Sequence, residues 1–205
     1  MKIKTIGVIG AGAAGREIAC AALLGGFETI LEDVSPEMLE QGSGYIERAL
    51  SECVAREELT PQQKDSALAR FSTANRVDAA CRVADMLIET VPEEMEVKLE
   101  IFTIFDKFAK PNAILASNTS LSIAEIAAIT FRAEDCVGMR FIDRAKGTRL
   151  LEIVRGLETS DGTVAACTEA GRRMGCEVMV VSETPESIAI TAQAEHGFRV
   201  KGISE

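Results

Sequence analysis

Between Ile6 and Leu24 the chain passes from a short apolar run, Ile6 to Gly10, into three glycines at G-x-G-x-x-G spacing, Gly10, Gly12 and Gly15. A helical period then places Ile18, Ala19, Ala22 and Leu23 on one face. Strand, glycines and helix in that order restrict the fold more than any other stretch of the sequence. Gly10 permits a tight turn, Gly12 lets backbone approach a pyrophosphate, and Gly15 lets the helix sit close on the strand. Ala11, Ala13 and Ala14 complete the loop and the helix start and are read with the glycines as cofactor-binding. The N–H groups of that first turn, with the partial positive charge of the helix end, suit phosphate. Gly25-Gly26 closes the helix. A second apolar run, Thr29 to Leu31, leads to Asp33, 18 residues past Gly15. This is near the spacing expected of a carboxylate that grips the adenosine ribose hydroxyls. An acid there without a following arginine favours NAD over NADP. Glu32 is an alternative for the same role.

The rest of the chain repeats the strand–helix rhythm. Ser35-Pro36 starts a long helix to about Glu58, with Gly42 and Gly44 weakening its middle. Thr60 and Gln63 make a capping-box start for another. These two helices form an insertion after strand two, acidic on balance. Strands are expected at 70–73, 86–88, 113–116, 136–140, 150–154 and 178–181. Helices are expected over 78–83, 94–108, 122–130 and 160–174. The prediction is an α/β chain of Rossmann type: a doubly wound, mostly parallel sheet over residues 1–183. The tail, 184–205, reads as mobile in its last residues or as the start of a further region. Ligands bind such sheets at the carboxyl ends of the strands. Glu93 follows one of these ends, while Asn118 and Ser120 follow another and are left free by the Ser122–Glu125 capping pattern. Lys98, by spacing alone, reads as a surface lysine.

Composition removes several functions. A net charge of −10 argues against nucleic acid and anionic membrane surfaces. A single histidine, His196, excludes a His-rich metal site, and the six cysteines have no ligand spacing. They read as buried free thiols in a reducing cytoplasm. The N-terminus runs straight into the first strand, so no signal peptide is expected. No apolar run approaches the roughly 20 residues of a membrane helix.

At this point the residues resemble a known family. VIGAGAAG, LEDVSPEMLEQ, ADMLIETVPEEMEVKLEIF, AILASNTSLSIAEIA, VGMRF and LLEIVRGLETSD are similar to the NAD-binding domain of 3-hydroxyacyl-CoA dehydrogenases, over about residues 3–185. The resemblance implies NAD as cofactor, acyl-CoA as a further ligand, and oxidation of (S)-3-hydroxyacyl-CoA to 3-oxoacyl-CoA. It places Gly10, Gly12 and Gly15 on the pyrophosphate, Asp33 on the ribose, and Glu93 and Lys98 against the cofactor. Ser120 falls beside the nicotinamide and the substrate's 3-oxygen, and Glu152 where a carboxylate orients the family's catalytic histidine.

The departures are as informative. The histidine position is Arg140, and the strand continues Phe141, Ile142, Asp143, Arg144 where the family has Phe-Phe-Asn-Pro. Asp143 therefore sets a negative charge near the nicotinamide. The family's Pro-Gly-Phe and following Asn read Pro185-Glu186-Ser187 and Ile190. Arginine stays protonated and cannot serve as the base. As a catalytic candidate beside Ser120 and Glu152 it could polarise a carbonyl during reduction, or simply pair with Glu152, and the pair is the favoured arrangement. Glu57-Glu58 stands where basic residues often face coenzyme A. The family's C-terminal helical domain is absent from these 205 residues, so a homodimer or a partner chain is expected to cover the exposed face. Three functions follow: an impaired NAD-dependent dehydrogenase of this family, a non-catalytic NAD(H)-binding sensor or partner protein, and a dehydrogenase for a small hydroxy acid clamped by Arg140.

Overall fold

The computed structural model describes residues 2–143 and 149–184, with the side chain of Asp143 outside that set. The expected turn at 144–148 and the tail from Pro185, with Ser187, Ile190 and His196, lie outside the described residues. Eight strands form one sheet: β1 (Thr5–Ile9), β2 (Glu28–Glu32), β3 (Phe71–Ala74), β4 (Met86–Glu89), β5 (Ile114–Ser117), β6 (Cys136–Asp143), β7 (Arg149–Arg155) and β8 (Glu177–Ser182). Their spatial order is β3-β2-β1-β4-β5-β6-β7-β8. All neighbours run parallel except β6 and β7. The order reverses between β1 and β4, which creates a crevice at the carboxyl ends of those two strands. The doubly wound, mostly parallel sheet predicted above is the observed one.

The helices are α1 (Ala13–Leu24), α2 (Pro36–Ala55), α3 (Pro61–Leu68), α4 (Val77–Cys81), α5 (Met95–Phe108), α6 (Ile123–Ala127) and α7 (Asp161–Arg173). One apolar cluster joins α1, α2 and α7 to one sheet face; a second joins α4, α5 and α6 to the other. All six cysteines are buried thiols outside any disulfide, as expected. Among the described residues no helix is long and apolar enough to cross a membrane.

Most expected boundaries shift by one or two residues. The larger departures have visible causes. β6 continues past the predicted end at Arg140 because antiparallel β7 pairs with it as far as Asp143 and Arg149. α2 ends at Ala55, and Glu57 turns out of it with φ +60°. The helix passes unbroken through Gly42, where a Cβ would approach Leu31 Cδ2 to 2.6 Å. That glycine serves close packing on β2 and is not a weak point. The insertion starts as predicted: Ser35 Oγ accepts from Met38 N–H, and Thr60 and Gln63 exchange both bonds of a capping box.

Candidate functional site

The glycine loop is shaped by contacts that no side chain could replace. Gly10 has φ +100°, a region that favours glycine, and a Cβ there would meet Thr90 Oγ1 at 2.9 Å. A Cβ on Gly15 would fall on the carbonyl oxygen of Gly10. Gly12 differs: among the described residues nothing lies within 4 Å of where its Cβ would be. No contact among the described residues requires a glycine there. Gly12 is also the N-cap of α1 and offers no capping side chain. The first-turn N–H groups at Ala13 and Ala14 have no intrahelical partner. This open, positively polarised concavity fits a pyrophosphate.

Two neighbours lock the loop. Thr90 Oγ1 lies 2.9 and 3.0 Å from the carbonyl oxygens of Ile9 and Gly10. Asp33 accepts from Ala11 N–H at 2.8 Å and from Ser35 N–H at 2.9 Å. Ala11, grouped above with the cofactor residues, is fully buried and gives its amide to Asp33, so its direct contacts are with protein. Beside the loop a cavity of about 700 Å³ is lined by Gly10, Gly12, Glu32, Asp33, Thr90 and Ile101, among others. That volume suits a small-molecule site.

Across the crevice, groups from α5 and from β4 to β7 with the turns that follow β4 and β5 make one connected network. Lys98 on α5 is completely buried, which corrects its reading as a surface lysine. Its Nζ lies 3.0 Å from Glu89 Oε1 and 3.2 Å from Glu93 Oε2. Glu89, the last residue of β4, also accepts from Ser117 Oγ at 2.6 Å and Val91 N–H at 2.6 Å. Burial pushes the Glu89 carboxyl up, and Lys98 with these donors draws it only part of the way back.

Glu93 Oε1 receives three donors: Thr119 Oγ1 at 2.7 Å, Ser120 N–H at 2.6 Å and Ser120 Oγ at 2.8 Å. Burial pushes the Glu93 carboxyl up, but these donors and Lys98 outweigh it and hold it below the usual range. The carbonyl of Thr119 accepts from Arg140 Nε at 2.8 Å, and Arg140 also donates to Glu152 Oε2 at 2.8 Å. The expected Arg140–Glu152 pair is therefore present. Ser122 caps α6 as read, and Asn118 and Ser120, which that cap leaves free, take other partners: Asn118 Oδ1 accepts from Phe141 N–H at 3.1 Å. Asp143 lies at the end of β6, opposite Arg149. On the insertion, the charge of Glu58 is met by Arg56 at 3.0 Å.

Glu89, Thr90 and Ser117 stand out in the sequence only as polar residues at strand ends, with no partner assigned to each. A signal for Glu89 existed, because an acid closing the apolar run Met86 to Ile88 has no water to face in a parallel sheet. Its partner, nine positions on, could then have been sought.

A doubly wound sheet with an open glycine cradle at its switch point defines a dinucleotide-binding Rossmann domain. The comparisons narrow the class. The family model of the 3-hydroxyacyl-CoA dehydrogenase NAD-binding domain matches residues 5–184, and the chain belongs to that family. Its cofactor is NAD, and the cradle fits it. The chain is similar to 3-hydroxybutyryl-CoA dehydrogenase of Bradyrhizobium diazoefficiens, 39% identical over 91% of this chain and 64% of that protein. It is also similar to the probable 3-hydroxybutyryl-CoA dehydrogenase of Bacillus subtilis, 36% identical over 90% and 64% of the two. Among solved structures, (S)-3-hydroxybutyryl-CoA dehydrogenase from Ralstonia eutropha superposes with a TM-score of 0.83. It is 34% identical and is matched over 90% of this chain and 65% of that one. The chain thus spans just under two thirds of these relatives.

Proposed function

We propose that the chain is the cofactor-binding half of an NAD-dependent 3-hydroxyacyl-CoA dehydrogenase-type protein with impaired oxidation of hydroxyacyl substrates. Gly10, Gly12 and Gly15 hold the pyrophosphate, and Asp33 carries the ribose side. Glu93 and Lys98 stiffen the nicotinamide side, and Ser120 faces the reacting carbon. NAD, when bound, supplies the hydride acceptor. The chain's own residues must supply orientation and a place for the substrate proton. Ser120 is oriented by its two bonds to Glu93. Arg140 occupies the position that the resemblance gives to histidine, and there it can only donate.

The single observation behind the proposed impairment is the double engagement of Arg140 with Thr119 O and Glu152. A general base is typically worth roughly 100- to 10,000-fold. The test is NADH oxidation with acetoacetyl-CoA against a no-enzyme control, with NADH binding followed in the same sample. Binding without turnover above the control is expected; clear turnover overturns the impairment. R140H separates a second reading. Gained turnover keeps the protein among dehydrogenases lacking only their base. No gain, with binding intact, favours a non-catalytic NAD(H)-binding protein, which the closed Arg140–Glu152 pair also suits.

A further inference from the structure

Glu32 is the last residue of β2, 2% exposed, and its Oε1 accepts no hydrogen bond from any described residue. A buried carboxylate oxygen with no donor is costly, and native folds rarely leave one unmet. The neighbouring acid makes the contrast plain, since both oxygens of Asp33 accept backbone N–H groups. Side chains alternate along a strand. Glu32 thus shares a face with Ile30, which packs with the α4–α5 cluster. There it lines the cavity of about 700 Å³ together with Gly10, Asp33, Val77 and Ile101. The wall is apolar apart from a few groups, as a site for a nucleoside would be.

The geometry points to Glu32 as the second carboxylate of the adenosine site: it accepts a hydrogen bond from a ribose hydroxyl of NAD and, with Asp33, excludes dinucleotides that carry a 2′-phosphate. This rests on the NAD reading of the cradle. Among the described residues, the charged and titratable groups around Glu32 favour a neutral donor over an anion. Asp33 adjoins it, Cys81 on α4 senses its charge, and Glu100 on α5 lines the same cavity. Among the described residues lining the cavity there is no lysine or arginine to receive a phosphate. Burial, and then the charge of Asp33, push the Glu32 carboxyl up to about 7, so a donor arriving at Oε1 meets an otherwise uncompensated group.

The experiment measures dissociation constants for NADH and NADPH by nucleotide fluorescence at pH 8, on the full chain and on E32Q and E32A. The wild type is expected to prefer NADH. E32Q keeps an acceptor but loses the charge, so the preference should fall at least about tenfold. E32A loses the acceptor, so NADH should bind about tenfold more weakly. Unchanged NADH affinity and unchanged preference in folded variants overturn the proposal while NAD binding stands. A change in one readout alone upholds that half and overturns the other. Failure of the wild type to bind NADH overturns the NAD reading and this proposal with it. If E32A does not fold, E32Q decides, since it conserves shape.

Discussion

The two sides of the switch point are built in opposite ways. On the β1–β2 side the site is made by what is missing: glycines where a Cβ would collide, and an empty approach over Gly12. On the β4–β7 side it is made by charged side chains tied in series, from Glu89 through Lys98, Glu93 and the Ser120–Thr119 turn to Arg140 and Glu152. A site defined by backbone shape survives many substitutions around it and fails when atoms are added. A site defined by paired charges fails when one partner is removed. The difference also explains how Arg140 fits without disturbing the cofactor side: among the described residues its bonds reach Thr119 and Glu152.

The sharpest way to break the comparison is to add atoms to two glycines of the same loop. G15V places a side chain on the Gly10 carbonyl. It should cost more than about 4 kcal/mol, enough to threaten the folded state. G12A adds its methyl to open space and should leave stability within about 1 kcal/mol while weakening NADH binding. Thermal unfolding followed by circular dichroism reads the first, and nucleotide fluorescence reads the second. Equal stability losses in the two variants would mean that the loop does not distinguish packing from binding.

On the other side, K98M leaves Glu89 buried without its cation, which typically costs about 3–5 kcal/mol. K98M/E89Q should recover much of that loss, because no uncompensated charge remains. Urea unfolding of the two variants decides whether the network acts through charge or through packing alone.

Much of this was readable in the chain. The glycine spacing, the alternation of strands and helices, and Asp33 after β2 depend on local pattern, and the sheet follows from them. The charge network was harder to read, because Glu89, Ser117 and Lys98 come from three elements whose side chains meet only after β4 and β5 have paired. Lys98 looked like any lysine on an amphipathic helix. Its burial is dictated by acids at the strand ends, which sequence periodicity does not register. The partner of Ser120 was unreadable for the same reason: Glu93 lies 27 positions away.

Glu32 belongs to both styles of construction, and its pH dependence tests that. Unfolded, such a carboxyl titrates near 4.5; folded, burial and Asp33 raise it to about 7. Below 4.5 both states hold the proton and the group costs nothing. Between 4.5 and 7 the unfolded chain releases the proton first, so stability falls as pH rises, and above 7 the full penalty persists. E32Q removes that penalty. It should therefore be more stable than the wild type by on the order of 3 kcal/mol at pH 8, and equal to it near pH 4. A constant difference across that range in urea unfolding would show that its carboxyl titrates alike in both states.

The smallest effect is expected at Arg140. Its side chain is 33% exposed and that of Glu152 15%, so water screens much of their attraction. R140Q should lower stability by no more than about 1 kcal/mol. A loss as large as that of K98M would place Arg140 among the groups that hold the sheet together, and the two sides of the crevice would then share one structural network. A loss near zero, with NADH binding unchanged, leaves Arg140 an addition to an intact cofactor site. Its effect is then confined to the proposed chemistry of the site: a guanidinium midway along β6, tied to Thr119 and Glu152, does not loosen the strands that carry it.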